Sequence, residues 1–185
     1  MIEFRLHGRG GQGTVTSSKI AGVAAAIDGK FAQSLPFYGF ERRGAPVEVY
    51  FRLDDKPVTV NTRVYNPDGI IVLDPVLPFQ FTQLVTRGLK QGGMAILNTA
   101  KKPEDINLGV KLSKVAVVDA TTIALEVLKT PITNTAILGA FAGATKLLKL
   151  DSVTEGVKHV LPERLWARNI EAVKRAYNEV TVKEW

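Results

Sequence analysis

The chain contains no cysteine. That excludes disulfides, thiolate-held iron–sulfur clusters and cysteine zinc sites. Any electron transfer in which the protein takes part must run through a centre held elsewhere. Histidine occurs only at His7 and His159, too few for a histidine-rich metal site. No apolar run approaches the ~20 residues that a membrane-spanning helix needs, so no membrane association is expected. The 24 basic and 18 acidic residues leave a net charge of +6 but are scattered, with no Lys/Arg run of five. Such a pattern is poor for reading nucleic acid. It suits plain solubility, or attraction to a polyanion such as an acidic protein or a phosphorylated cofactor. The start Ile2–Leu6 reads as a strand and not as a signal segment, and the expected compartment is the cytoplasm.

What is present describes an ordinary globular chain. At 185 residues, with 45% hydrophobic and 23% charged, it is long enough for one domain, 1–185, with a real core. No repeat, low-complexity tract or linker interrupts it. Residues 2–7 read as a strand, 14–28 as a helix ended by Gly29, and 30–35 as a second strand. Residues 46–53 alternate, Val47, Val49, Phe51 and Leu53 on one face and Glu48, Tyr50 and Arg52 on the other. Asp54–Pro57 reads as a turn from which Val58–Asn61 returns as a hairpin. Short apolar runs at 70–73, 94–97 and 115–118 read as buried strands. Helices are expected at 78–89, 120–128, 134–148, 152–160 and 163–179. The pattern predicts an α/β fold: a single three-layer α/β/α domain with a Rossmann-like mixed sheet and a β-hairpin.

Between the first strand and the first helix lies Gly8-Arg9-Gly10-Gly11-Gln12-Gly13. Glycines let backbone N–H groups approach a phosphate, and the helix behind them adds its positive end. Arg9 offers a charge-assisted contact, and Thr14 and Thr16 offer hydroxyls. A dinucleotide fold would also need an acidic residue closing the second strand. That strand ends Gln33-Ser34-Leu35, so the loop is a candidate anion site without an NAD fingerprint. The bland alternative is a tight strand-to-helix turn that binds nothing.

Two further segments are unusual. Phe37–Pro46 places aromatic residues, Glu41 and the adjacent Arg42 and Arg43 in one loop. Arginine can hold phosphate or carboxylate bidentately; such a pair also commonly faces solvent or a partner. Pro131–Ala136 reads as a helix start, with Thr133 or Asn134 as N-cap or as a polar terminus aimed at a shared active site. Asp74, Asp119 and Glu126 are isolated acids near strand ends or on a helix, and Asp74 and Asp119 read as capping or ending elements. No nucleophile set or metal cluster appears, so no catalytic residue and no metal ligand is expected.

His7–Gly13, Tyr38–Val47 and Thr133–Ala140 occur in this order, with Arg168–Ala172 near the end. Together they resemble the gamma subunit of the pyruvate and related 2-oxoacid:ferredoxin oxidoreductases. The resemblance runs from the first strand to the last helix. It implies a complex that decarboxylates a 2-oxo acid oxidatively, joins the acyl group to coenzyme A and reduces ferredoxin. It implies thiamine diphosphate, magnesium and iron–sulfur clusters on other subunits, none of them bound by this chain alone. The implied partners are alpha, beta and delta subunits, and ferredoxin through the complex. Within such a complex, the phosphate-capable glycine loop, the basic loop and the basic net charge lead to the expectation that this subunit covers the active site and assists coenzyme A, with Gly8, Arg9, Gly10, Gly11, Gln12, Gly13, Arg42, Arg43 and Asn134 as candidate contacts. Phe40 stands where pyruvate-type members often carry proline, which leaves pyruvate, branched-chain and aryl 2-oxo acids open. A pure scaffold and an independent nucleotide-binding oxidoreductase are the competing readings. Phe37, Tyr38 and Phe40 are the expected exposed partner surface.

Overall fold

In the computed structural model, residues 1–37 and 44–185 are described. Arg42, Arg43, Tyr38 and Phe40 lie outside the described residues. The described elements are β1 (Ile2–Arg9), α1 (Thr14–Ile27), β2 (Phe31–Phe37), β3 (Pro46–Asp54), β4 (Gly69–Val72), α2 (Leu77–Gln80), α3 (Thr82–Thr86), β5 (Gly93–Asn98), β6 (Leu112–Val118), α4 (Ala120–Ile123), α5 (Asn134–Thr145), α6 (Leu150–Val160), α7 (Trp166–Glu179) and β7 (Thr181–Glu184). The strands form one sheet in the order β2-β3-β1-β4-β5-β6-β7. β1, β4, β5 and β6 run parallel, while β3 is antiparallel to both β1 and β2, and β7 is antiparallel to β6.

Strand pleating sends alternate side chains to opposite faces, and the sequence uses the two faces differently. Phe4, Leu6, Val49, Phe51, Ile71, Ile96 and Ala116 belong to one apolar core shared with buried residues of α1, α5, α6 and α7. Phe4 meets Phe141 of α5 edge-on, ring centroids 5.1 Å apart. Across the other face, Ile70, Val72, Ala95, Leu97, Val115 and Val117 pack with Leu77, Val85, Leu89 and Leu108. The expected three layers are present, one thick and helical, the other thin.

The far half of that thin face is polar. Arg5, His7 and Arg52 are each 1% exposed. Arg52 donates from Nε to Glu3 Oε1 (2.8 Å) and from Nη1 to Gln33 Oε1 (2.8 Å). Arg5 donates from Nη2 to the carbonyls of Val85 (3.0 Å) and Arg87 (2.5 Å), fastening the end of α3 to the sheet. Each buried guanidinium is thus satisfied by polar groups brought to it by its neighbours.

Several expectations need correction. The Asp54 turn forms, but 58–61 does not return as a strand: β3 already has β1 on one edge and β2 on the other, so the hairpin is β2–β3. The helix expected over 78–89 is two short helices broken at Phe81 and ended before Gly88, whose φ of +69° no continuing helix adopts. The segment after Asp119 begins as α4 and loosens into a π-helical turn, Ala124–Leu128. α5 stops at Thr145 because Lys146 turns left-handed at φ 56°. β7 was unforeseen: Thr-Val-Lys-Glu carries little apolar signal, and the free edge of β6 decides its pairing.

Candidate functional site

After β1 the chain crosses to the β2 edge, whereas β4, β5 and β6 build out on the other side. The carboxyl ends of β1 and β4 therefore flank a topological switch point, where open α/β sheets usually bind ligands. The glycine loop leaves β1 there. Gly11 and Gly13 take φ values of +97° and +80°, which other residues adopt only with strain. A Cβ on Gly8 would lie 2.2 Å from Thr14 Oγ1, and one on Gly13 would lie 2.6 Å from Asn134 Nδ2. The glycines thus allow a tight turn and close packing onto two helix starts.

Three remote segments meet on this loop. The root of the arginine loop is tied down by Gly10 N donating to Ala45 O (2.9 Å) and Gly44 N donating to Gly10 O (3.3 Å). Asp74, 5% exposed at the end of β4, accepts from Arg9 Nε (3.2 Å) and Gln12 Nε2 (2.7 Å) on one oxygen. Its other oxygen accepts from Val76 N (2.9 Å) and Leu77 N (3.0 Å). The start of α5 is linked to α1 by Ser17 Oγ donating to Asn134 O (3.0 Å). Thr133 Oγ1 and Asn98 Nδ2 both donate to Leu73 O, at 3.3 and 2.7 Å, and so tie β4, β5 and α5 together.

Placement of the individual residues departs from expectation in three ways. Arg9 is not a free cation at the loop's mouth: Asp74 pairs with it, and its guanidinium carbon lies 5.7 Å from the Phe81 ring centroid. Gln12 faces inward, its Oε1 accepting from Arg9 N (2.7 Å). Thr133, the N-cap residue of α5, makes no capping bond, because its hydroxyl goes to Leu73 O instead. Asn134 Oδ1 accepts from Thr135 N (2.8 Å), which turns its amide nitrogen toward Gly13. Thr14 Oγ1 is buried without a partner. Asp119 does cap α4, as expected, accepting from Thr122 N and Oγ1.

Neither α1 nor α5 has a side-chain cap bond or an acidic residue in its first turn. The two helix starts meet where Gly13 lies against Asn134, and no acidic side chain of either first turn offsets their positive ends. Asp74 is the site residue that sequence reading missed. An Asp-Pro pair after an apolar run signals only a strand end, and nothing local announces that Arg9 and Gln12 converge on it.

Behind the loop lies a buried ionisable cluster. His7 Nε2 accepts from Arg5 Nε (3.0 Å), so the ring is neutral with its proton on Nδ1. Burial pushes His7 well below the usual histidine range, and Arg5 and Arg87 push in the same direction. The 4.0 Å approach of Nδ1 to Glu48 Oε1 is therefore not an ion pair. Tyr50 donates to Glu48 Oε2 (3.2 Å) and is raised by its burial and by that carboxylate. Among the described residues no group of three or more His, Asp or Glu is arranged to hold a metal ion. No described helix is long and apolar enough to cross a membrane.

A family model for pyruvate ferredoxin/flavodoxin oxidoreductase matches residues 3–179. The chain belongs to that family. Within it, the chain is 52% identical over 186 residues to the common subunit gamma of the pyruvate/ketoisovalerate oxidoreductases of Thermococcus kodakarensis, covering 100% of both chains. The crystal structure of the pyruvate oxidoreductase subunit PORC of Thermotoga maritima superposes with a TM-score of 0.83 at 34% identity, over 99% of this chain and 98% of that one. The 2-oxoglutarate:ferredoxin oxidoreductase of Magnetococcus marinus shares the fold: TM-score 0.71, 18% identity, 96% of this chain against 30% of that longer one. The same fold thus occurs as a separate subunit in the Thermotoga protein and as part of a longer polypeptide in the Magnetococcus one.

Proposed function

We propose that this chain is the gamma subunit of a 2-oxoacid:ferredoxin oxidoreductase, covers the active site of that complex and helps to receive coenzyme A. The complex would convert a 2-oxo acid, coenzyme A and two oxidised ferredoxins to an acyl-CoA, CO2, two reduced ferredoxins and a proton. The observation that carries the binding part is the pair of uncapped helix starts, α1 and α5, at the switch point. Coenzyme A is a polyanion, and backbone amides with a helix's positive end suit its phosphates.

For thiamine diphosphate, magnesium and iron–sulfur clusters the chain offers no cysteine and, among its described residues, no group of three or more His, Asp or Glu arranged to hold a metal ion. They are assigned to the alpha, beta and delta subunits, and no redox step runs through gamma. Its contribution is to orient a cosubstrate and exclude water, which raises the effective concentration of a thiol at a reacting centre. The Magnetococcus enzyme was solved with coenzyme A and succinyl-CoA bound, in keeping with a cosubstrate role for an enzyme that includes this fold. The Thermococcus relative is named as common to pyruvate and ketoisovalerate oxidoreductases. We take this chain likewise to serve more than one 2-oxo acid. A shared subunit must address what those reactions have in common, which is coenzyme A rather than the oxo acid's side chain.

The internal pairing of Arg9 with Asp74 favours one competitor, a scaffold that no ligand touches. Purification of the chain from its native cell under anoxia, with mass spectrometry and an assay using coenzyme A, a viologen and a panel of 2-oxo acids, tests the assignment. Co-purified catalytic subunits with activity on pyruvate and branched-chain acids are expected. A lone chain from an active preparation would refute it. Glycine-loop substitutions that disturb assembly or stability without a specific change in the KM for coenzyme A would leave the scaffold.

A further inference from the structure

We infer that Asp74 is a positioning residue of the glycine-loop site: it withholds Arg9 from the mouth of the loop and so sets how strongly the loop attracts an anion. This deepens the coenzyme A reading and rests on it for the ligand's identity.

The geometry is specific. Asp74 is nearly buried and engages four donors, two on each oxygen. The Val76 and Leu77 amides need only an acceptor, and a neutral side chain could serve them. The Arg9 and Gln12 contacts are different, since they spend a full negative charge on a cation beside a site otherwise suited to anions. Arg9 is further restrained by donating from Nη1 to Gly44 O (3.3 Å) and by lying over Phe81. The guanidinium is therefore turned along the loop toward β4. With Arg9 offset, the positive character at the mouth comes from helix starts and backbone amides, which bind a phosphate without a long flexible side chain to order. A cosubstrate that must enter and leave on every turnover is better served by such moderate attraction than by an exposed arginine.

Asp74→Asn is nearly isosteric. Its oxygen can still accept from Val76 and Leu77, while its amide would point donors at Arg9 and Gln12, which are themselves donors. Arg9 should then leave. The first readout is the rate at which phenylglyoxal, an arginine reagent, labels the Arg9 peptide in the purified full chain, followed by mass spectrometry. Labelling should rise about two- to fivefold in Asp74→Asn, the range expected for releasing a partly exposed ion pair. Asp74→Glu, which keeps the charge, should bring it back toward the native rate. Asp74→Ser supplies an uncharged acceptor for the α2 amides and gives the same reading if the Asn variant does not fold. Labelling unchanged in the neutral variants overturns the inference.

The second readout is the KM for coenzyme A in the assembled complex. It should fall by a similar factor in Asp74→Asn, and Arg9→Gln in the same chain should cancel the gain, whereas general loss of structure would lower kcat and raise KM. Faster labelling with an unmoved KM upholds Asp74's hold on Arg9 and refutes coenzyme A as the ligand of this loop.

Discussion

Gly139 offers a severe test of the packing on which the site depends. α5 is buried from Asn134 to Ala142, wedged between the sheet and α7. At Gly139 the two helices approach so closely that an added Cβ would lie 2.1 Å from Val173 O, 2.8 Å from its carbonyl carbon and 3.0 Å from its Cα. All three are backbone atoms, so no rotamer change can relieve the clash. Carbon–oxygen contacts normally settle near 3.3 Å, so Gly139→Ala must drive the helices apart by roughly 1 Å. Overpacking of this kind costs about 1–3 kcal/mol, occasionally more. Against that, alanine gains about 1 kcal/mol over glycine in helix propensity. The net expectation is a loss of about 1 kcal/mol, or ~2–4 °C in Tm for a chain of this size. Gly143, where the nearest atoms are Tyr177 O at 2.8 Å and Val180 Cγ1 at 2.9 Å, should suffer less. Gly22 of α1 has nothing within 4 Å of its added Cβ, and Gly22→Ala should raise stability by ~0.5–1 kcal/mol. Urea denaturation and thermal melts of the three variants should rank them Gly22, Gly143, Gly139 from most to least stable. Gly139→Ala as stable as Gly22→Ala would refute the close approach of α5 and α7.

Two further perturbations probe the polar face of the sheet. His7 is held neutral by burial and by Arg5 and Arg87, with Glu48 the nearby carboxylate. Below about pH 6.5 the unfolded chain takes up a proton that the folded chain refuses. His7's contribution is thus fully present above that pH and declines as pH falls toward the depressed folded value, by at most ~1.4 kcal/mol per unit. His7→Gln should flatten that part of the denaturation–pH profile, and a profile that keeps its full slope would contradict a neutral His7. Arg52→Met should cost on the order of 2–3 kcal/mol in urea, because it leaves Glu3 and Gln33 without their buried donor; adding Glu3→Gln should recover part of the loss.

Much of the fold could be read from the sequence because the signals were local. Alternation in 46–53 correctly separated Val49, Phe51 and Leu53 from Glu48, Tyr50 and Arg52. The apolar runs at 70, 94 and 115 became parallel strands β4, β5 and β6. What escaped was decided by neighbours distant in the chain. The 58–61 return strand fails because β2, reached only after the α1 crossover, occupies the edge of β3. β7 forms because β6 has a free edge, and four polar-rich residues could not advertise it. The same division runs through the site. Gly11 and Gly13 are visible because positive φ demands glycine there, and Gly8 because a Cβ would meet Thr14. Asp74 is not, since its role depends on β4 ending beside β1.

That dependence bears on how charge should be read in this chain. A net +6 invites the view that arginines attract the ligand. At the glycine loop the opposite arrangement holds. Arg9 is matched by Asp74, Gln12 is turned inward, and the first turns of α1 and α5 carry no acidic residue to offset their positive ends. On the coenzyme A reading proposed above, the attraction that remains belongs to the backbone. It is fixed in direction, and it survives substitution of any one side chain. It does require that Gly13 stay small enough for Asn134 to lie against it, since a Cβ there would come within 2.6 Å of Asn134 Nδ2. Bulk charge is therefore a poor guide to this site, and the distance between two helix starts is a better one.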